Sequence, residues 1–194
     1  MSHRYYVYGL TVRSELVFPE LRRLTGQETP PIGTEDLRIR AVRKPYQPGH
    51  WLATQLLATG EPWLQRAALP DGHLLRFPRV ADFIVSANGK QIEYAKDRGT
   101  PSHTLRHLLL DHVLPLTLSL RGIEALHATA VCTQAGVWAF TGPSGVGKST
   151  LATVLAQSGM EVLCDDCLVF AESSGQLFAV PGYPGVRLWE DTRA

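Results

Sequence analysis

The stretch Thr141 to Thr150 reads T-G-P-S-G-V-G-K-S-T. It holds a glycine, four residues, then glycine, lysine and serine, which is the pattern of a phosphate loop. Before it, Gly136 to Phe140 (G-V-W-A-F) is short and apolar, as expected of a buried strand. After it, Ser149 to Ser158 places Leu151, Val154 and Leu155 on one helical face, with Gly159 set to end the helix. Strand, glycine loop and helix are the context that the motif requires. Gly142, Gly145 and Gly147 let backbone N–H groups turn inward around a phosphate, and the helix directs its positive end at the same anion. The expected nucleotide-binding residues are therefore Gly142, Pro143, Ser144, Gly145, Val146, Gly147, Lys148, Ser149 and Thr150. Lys148 is expected on the outer phosphates of ATP and the Ser149 hydroxyl on Mg2+. A glycine-rich turn that binds nothing is the alternative, and the flanking strand and helix weigh against it.

Composition narrows the class of protein around this loop. The 194 residues allow one large domain or two small ones. With 44% hydrophobic and 19% charged residues the chain is not disordered, and a formal charge of +1 gives no basic field for nucleic acid or an anionic membrane. The opening M-S-H-R-Y-Y-V-Y lacks the apolar segment and cleavage site of a signal peptide. The longest apolar stretch, Leu108 to Leu120, is interrupted by Asp111, His112 and Pro115 and is too short to span a bilayer. A cytoplasmic protein without nucleic-acid or membrane partners is expected. Cys164 and Cys167 form a C-x-x-C, but Cys132 is the only other cysteine, so neither a zinc site nor a disulfide framework is completed. Cys164 closes an apolar run and reads as a small buried residue.

Residues 1 to 97 look mainly antiparallel β. Arg4 to Val12 favours a strand broken by Gly9, and Leu37 to Val42 alternates apolar and basic residues as a half-exposed strand does. Phe83 to Ala87 and Gln91 to Lys96 flank Asn88-Gly89, a hairpin signal, and Asp71-Gly72 suggests a further turn. Trp51, Trp63 and the early tyrosines read as packing residues. A bridging segment, 98 to 122, follows. Ser102 is placed to cap a helix running to about Leu120, largely buried and kinked at Pro115, with His103, His107 and His112 in surface roles.

From residue 123 to 194 the pattern changes. Ala125 to Val131 is a strand candidate carrying His127, and Glu161 to Phe170 (E-V-L-C-D-D-C-L-V-F) is another that carries Asp165 and Asp166. In open α/β sheets, ligands collect at the carboxyl ends of strands. Two carboxylates there, near bound phosphates, suit one to hold magnesium and one to orient or deprotonate an attacking hydroxyl. A pair of solvated turn aspartates is the alternative.

Leu126 to Val131 (L-H-A-T-A-V), the loop Gly142 to Ser149, Gly159 and the pair Asp165-Asp166 together resemble the catalytic domain of HPr kinase/phosphorylase and its HPr-kinase-like relatives. The resemblance covers roughly residues 123 to 170. It implies an α/β fold, a P-loop kinase core of the phosphoenolpyruvate-carboxykinase-like type, here preceded by a β-rich N-terminal domain. It also implies ATP with magnesium and phosphoryl transfer to a serine hydroxyl. Position by position, Lys148 would stabilise the transferring group, Ser149 and Asp166 would contact the metal, and Asp165 would act as base with His127 close to the phosphates. Thr150 stands where relatives often carry glutamate. Pro181 to Trp189 and the opening Y-G-L-T-V-R-S-E are closer to the HPr-kinase-like branch than to the regulatory enzyme. The family's core continues beyond the residues seen here, which implies a C-terminally incomplete domain; Arg187 and Arg193 read as surface arginines, with substitution for the family's basic residue as the alternative. A homo-oligomer is implied as well.

The expected function is an ATP-dependent kinase acting on a serine or other hydroxyl of a small protein, peptide or metabolite. A nucleotide-binding sensor or scaffold without catalysis is the alternative. A transporter-type ATPase would need an L-S-G-G-Q signature and a distant apolar strand ending in aspartate and glutamate, and neither occurs.

Overall fold

A computed structural model describes residues 2–25, 36–43, 46–143, 145–180 and 182–183. Ser144, Arg187, Arg193 and most of the Pro181 to Trp189 stretch lie outside the described residues. The first half builds one nine-stranded mixed sheet. Its strands are β1 (His3–Val7), β2 (Leu10–Ser14), β3 (Arg22–Arg23), β4 (Asp36–Ala41), β5 (Ala53–Leu56), β6 (Pro62–Leu69), β7 (Gly72–Phe77), β8 (Ala81–Ser86) and β9 (Gln91–Lys96). Their order across the sheet is β3-β1-β2-β4-β9-β8-β7-β6-β5. Most neighbours are antiparallel, but β4 runs parallel to both β2 and β9. The Asn88-Gly89 hairpin forms as its residues suggest. The Gly89 N–H donates to the Ser86 carbonyl at 2.8 Å, and Asn88 Oδ1 accepts from the Lys90 N–H. Phe83 then faces Tyr94 and Val85 faces Ile92 in the register, and all four are buried.

That buried row packs on a helical segment made of α1 (Ser102–Leu108), a π turn (Leu109–Val113) and α2 (Leu114–Leu120). Pro115 explains the π turn. It has no N–H for the Asp111 carbonyl one turn back, and the Leu114 N–H reaches five residues back to the Leu109 carbonyl. Pro101, not Ser102, occupies the N-cap, and no side chain caps the helix.

The remaining elements are β10 (Ala125–Leu126), β11 (Ala128–Thr133), β12 (Gly136–Thr141), α3 (Lys148–Gln157), β13 (Glu161–Cys164), β14 (Leu168–Ser173) and β15 (Gln176–Val180). They make two three-stranded antiparallel sheets, β12-β11-β13 and β10-β14-β15. One apolar cluster joins the halves, since Tyr8, Val85 and Leu109 share it with Cys167, Val169, Val180 and Tyr183.

The expected α/β kinase core of the phosphoenolpyruvate-carboxykinase-like type is not formed. Strands take up 46% of the described residues and helices 17%, in two helical segments. The reason lies in the connections. Only Gln134 and Ala135 separate β11 from β12, and a two-residue link permits only an antiparallel pair, whereas parallel neighbours need a crossover of about a dozen residues. Nor is β12 a buried strand: Trp138 is 55% exposed, and Leu151 and Val154 on α3 are exposed too.

Candidate functional site

β11 lies between β12 and β13 and runs antiparallel to both, so those two outer strands point the same way. The register sets Ala128, at the start of β11, opposite Thr141 at the end of β12, and Ala130 opposite Cys164 at the end of β13. The loop that leaves β12, the aspartates that leave β13 and His127, which enters β11, therefore collect at one end of this sheet. They meet there without the parallel sheet that the sequence suggested.

The same end is a crossover between sheets. His127 separates β10 from β11, and Asp165 to Cys167 separate β13 from β14, so both chains change ladder at one place. His127 Nδ1 lies 3.1 Å from the Asp166 carbonyl oxygen and donates to it when it carries the proton, and Nε2 stands 4.0 Å from Asp166 Oδ1. Asp166 takes φ 75°, a left-handed conformation that aspartate tolerates better than most residues. Asp165 is 4% exposed, and its Oδ1 accepts a 2.5 Å hydrogen bond from Thr129 Oγ1 on β11. Burial, and then the Asp165 charge, push the Asp166 carboxyl above its usual value, against the opposite pull of His127 and Lys148. The loop lysine is thus close enough to favour the charged form of Asp166.

In the loop itself Gly142, Gly145 and Gly147 have φ 153°, 82° and 101°, values that a β-carbon would strain. Lys148, 8% exposed, opens α3, and its Nζ donates to the carbonyls of Gly142 and Pro143 at 3.0 and 3.2 Å. Ser149 and Thr150 follow in the first turn of α3, and Val146 is exposed.

Beside the crossover lies a cavity of about 420 Å3, with His127, Asp165 and Asp166 on one wall. Its other walls come from residues that had no part in the site as read from the sequence. Tyr8 occupies the tight turn between β1 and β2 with φ 51°, is buried, and pairs its hydroxyl with the Cys167 thiol. Burial raises the Tyr8 and Cys167 pKa values and pushes Cys164 up to about 12, so both thiols stay protonated at neutral pH. His112, set on Trp63 and Phe77 at ring distances of 4.9 and 5.6 Å, also lines the cavity. Thr129 carried a signal, as the threonine of L-H-A-T-A-V. Tyr8 opens the Y-G-L-T-V-R-S-E stretch of the resemblance, but nothing local ties residue 8 to residue 167.

No protein-family model, curated protein or solved structure matches this chain.

The residues present fit a nucleotide with its metal. Three loop glycines hold conformations that keep side chains out of an anion's way, and a buried lysine stands at the helix start. Among the described residues no three His, Cys, Asp or Glu side chains gather to hold an ion alone. Magnesium at phosphates ordinarily takes one or two protein oxygens, and phosphates and water supply the rest. Ser149 and Asp166, the two residues expected at the metal, match that number. No helix among the described residues is long and apolar enough to cross a membrane.

Proposed function

We propose that the chain binds ATP at the Gly142 to Ser149 loop and transfers its γ-phosphoryl group to a hydroxyl of a small protein, peptide or metabolite. The observation that carries this reading is the convergence of the loop, His127 and Asp165-Asp166 at one end of the β12-β11-β13 sheet. Lys148, released from the Gly142 and Pro143 carbonyls, offsets charge on the transferring group. Asp165, held by Thr129, accepts the acceptor's proton. Ser149 and Asp166 are the residues that would hold magnesium, which neutralises phosphate charge when bound. The order of motifs supports kinship with the HPr-kinase-like proteins as part of the same proposal. A cytoplasmic setting, a homo-oligomer and no nucleic-acid or membrane partner belong to the same proposal.

A second reading, a nucleotide sensor or scaffold without catalysis, draws on one contact. Lys148 is already satisfied by the loop's own carbonyls, so a nucleotide that exchanged those bonds for its phosphates would change the loop without any transfer. Incubation with γ-labelled ATP and magnesium, alone and with cell extract, separates the two readings. The kinase reading expects label in an extract component, lost in Lys148→Ala and reduced by about 10²–10⁴-fold in Asp165→Ala. Full activity in Lys148→Ala would overturn the mechanism, and tight ATP binding with no moved label would favour the sensor.

A further inference from the structure

The cavity beside the crossover has its own chemistry. None of its lining residues comes from the loop Gly142 to Ser149. Asp165 and Asp166 line the cavity, while the loop that the sheet register brings to the same end does not. A general base must lie within hydrogen-bond reach of the proton it removes, and an attacking oxygen must approach the phosphorus in line. On the proposed function, a cavity that reaches the base and is not occupied by the phosphate loop is where the acceptor hydroxyl belongs.

The walls define what that acceptor is. Leu110, Pro115 and Leu126 give an apolar surface for a short carbon skeleton. Asp111 of the π turn joins Asp165 and Asp166, while no lysine or arginine lines the cavity among the described residues. Burial lowers the His112 pKa, so that ring adds no fixed positive charge at neutral pH. Two phenols, Tyr8 and Tyr183, complete the wall supplied by the β1–β2 turn and the chain after β15, and phenol rings attract cations as well as offering hydroxyls. The volume, about 420 Å3, falls near the small end of the ligand-pocket range of roughly 300–1,000 Å3.

We propose that this cavity is the acceptor subsite and that it takes a small hydroxyl compound bearing a cationic amine, of the amino-alcohol class. The proposal rests on the phosphotransferase reading and narrows its acceptor. In the reaction the acceptor's hydroxyl oxygen forms a bond to the γ-phosphorus while its proton passes to Asp165. The bond from that phosphorus to the bridging oxygen breaks, and ADP leaves with the electron pair. The products are a phosphomonoester and ADP.

The test uses three small probes, 2-aminoethanol, glycerol and glycerate, which are cationic, neutral and anionic. Each is titrated by calorimetry into the whole chain loaded with magnesium and a non-hydrolysable ATP analogue, and each is offered separately with γ-labelled ATP. Ala125→Trp fills the cavity from an exposed position on β10, with a thermal melt to confirm folding, and Asp111→Asn removes one wall charge. The subsite expects 2-aminoethanol to bind and to be labelled, glycerate to do neither, and Ala125→Trp to weaken amine binding by about tenfold or more. Equal binding of glycerate, no binding of 2-aminoethanol, or unchanged amine binding in both variants overturns the subsite. Binding without label transfer overturns the phosphotransferase reading and with it the acceptor role. Transfer to glycerol or glycerate that neither variant alters leaves that reading standing and overturns only the subsite.

Discussion

Thr129 and Asp165 form the tightest polar contact of the site, and both side chains are almost wholly removed from water. A carboxylate taken out of water depends on its donors, and a hydrogen bond to a charged group is worth about 1.5–3 kcal/mol. Thr129→Val should lower stability by that order, read from the urea midpoint, while Thr129→Ser retains most of it. If Asp165 is the base, Thr129→Val also lowers kcat with little change in the KM for ATP, because the loop is untouched. His112 is a residue of a different kind. Burial lowers its pKa below the ordinary value of about 6.5, so the folded chain prefers the neutral ring. The stability it allows is present above the unfolded value and is lost as pH falls through the folded one. Urea midpoints measured from pH 7 to pH 5 should fall, and His112→Asn should show a smaller fall across that window. An identical slope in the variant would place the acid sensitivity elsewhere.

Among the elements, β7 shows how close the strands of the large sheet approach. A β-carbon on Gly72, built at the β6–β7 turn, would stand 2.1 Å from the Val85 carbonyl oxygen of β8. Backbone at that distance has no rotamer to yield, so Gly72→Ala should cost about 1–3 kcal/mol, the usual range for overpacking. An unchanged urea midpoint would show that the hairpin shifts freely. The Asp71-Gly72 and Asn88-Gly89 turns were legible because turn chemistry is local. The loop glycines and Lys148 were legible for the same reason, and Gly159 does end α3, with the Met160 N–H returned to the Leu155 carbonyl. What the sequence hid was which strand pairs with which. Gly136 to Phe140 has the composition of a buried strand, yet it forms the edge of a three-stranded sheet with Trp138 outward. Apolar runs report hydrophobicity without naming the surface that covers them. The alternation in Leu37 to Val42 gave the strand but not its direction, and β4 is parallel to both neighbours. The expected α/β core failed at this scale, because a local motif was taken to bring its usual sheet with it.

At the scale of the whole molecule, the site depends on contacts that span the chain. Tyr8, near the start, reaches Cys167, and its ring packs so closely on Gly182 that a β-carbon there would stand 2.4 Å from Tyr8 Cε1. Val180 comes within reach of Gly9 in the same turn. Such pairings have no period and no spacing, so the convergence of loop, histidine and aspartates was readable from motif order while the far wall of the cavity was not. Their energetic consequence is specific. If β14 and β15 are held by the apolar cluster that also holds β8 and the π turn, opening one region exposes the other. Hydrogen exchange tests this, since amides that open only by global unfolding share one free energy, whereas separate cooperative units differ. The slowest amides of β8, around Phe83 and Val85, and of β14, around Val169, should exchange with the same opening free energy. Gly182→Ala, by forcing Tyr8 aside, should lower both together. Exchange in β14 that speeds up while β8 stays protected would show instead that the loop-bearing half opens on its own, and that the Tyr8 wall of the cavity is lost before the large sheet unfolds.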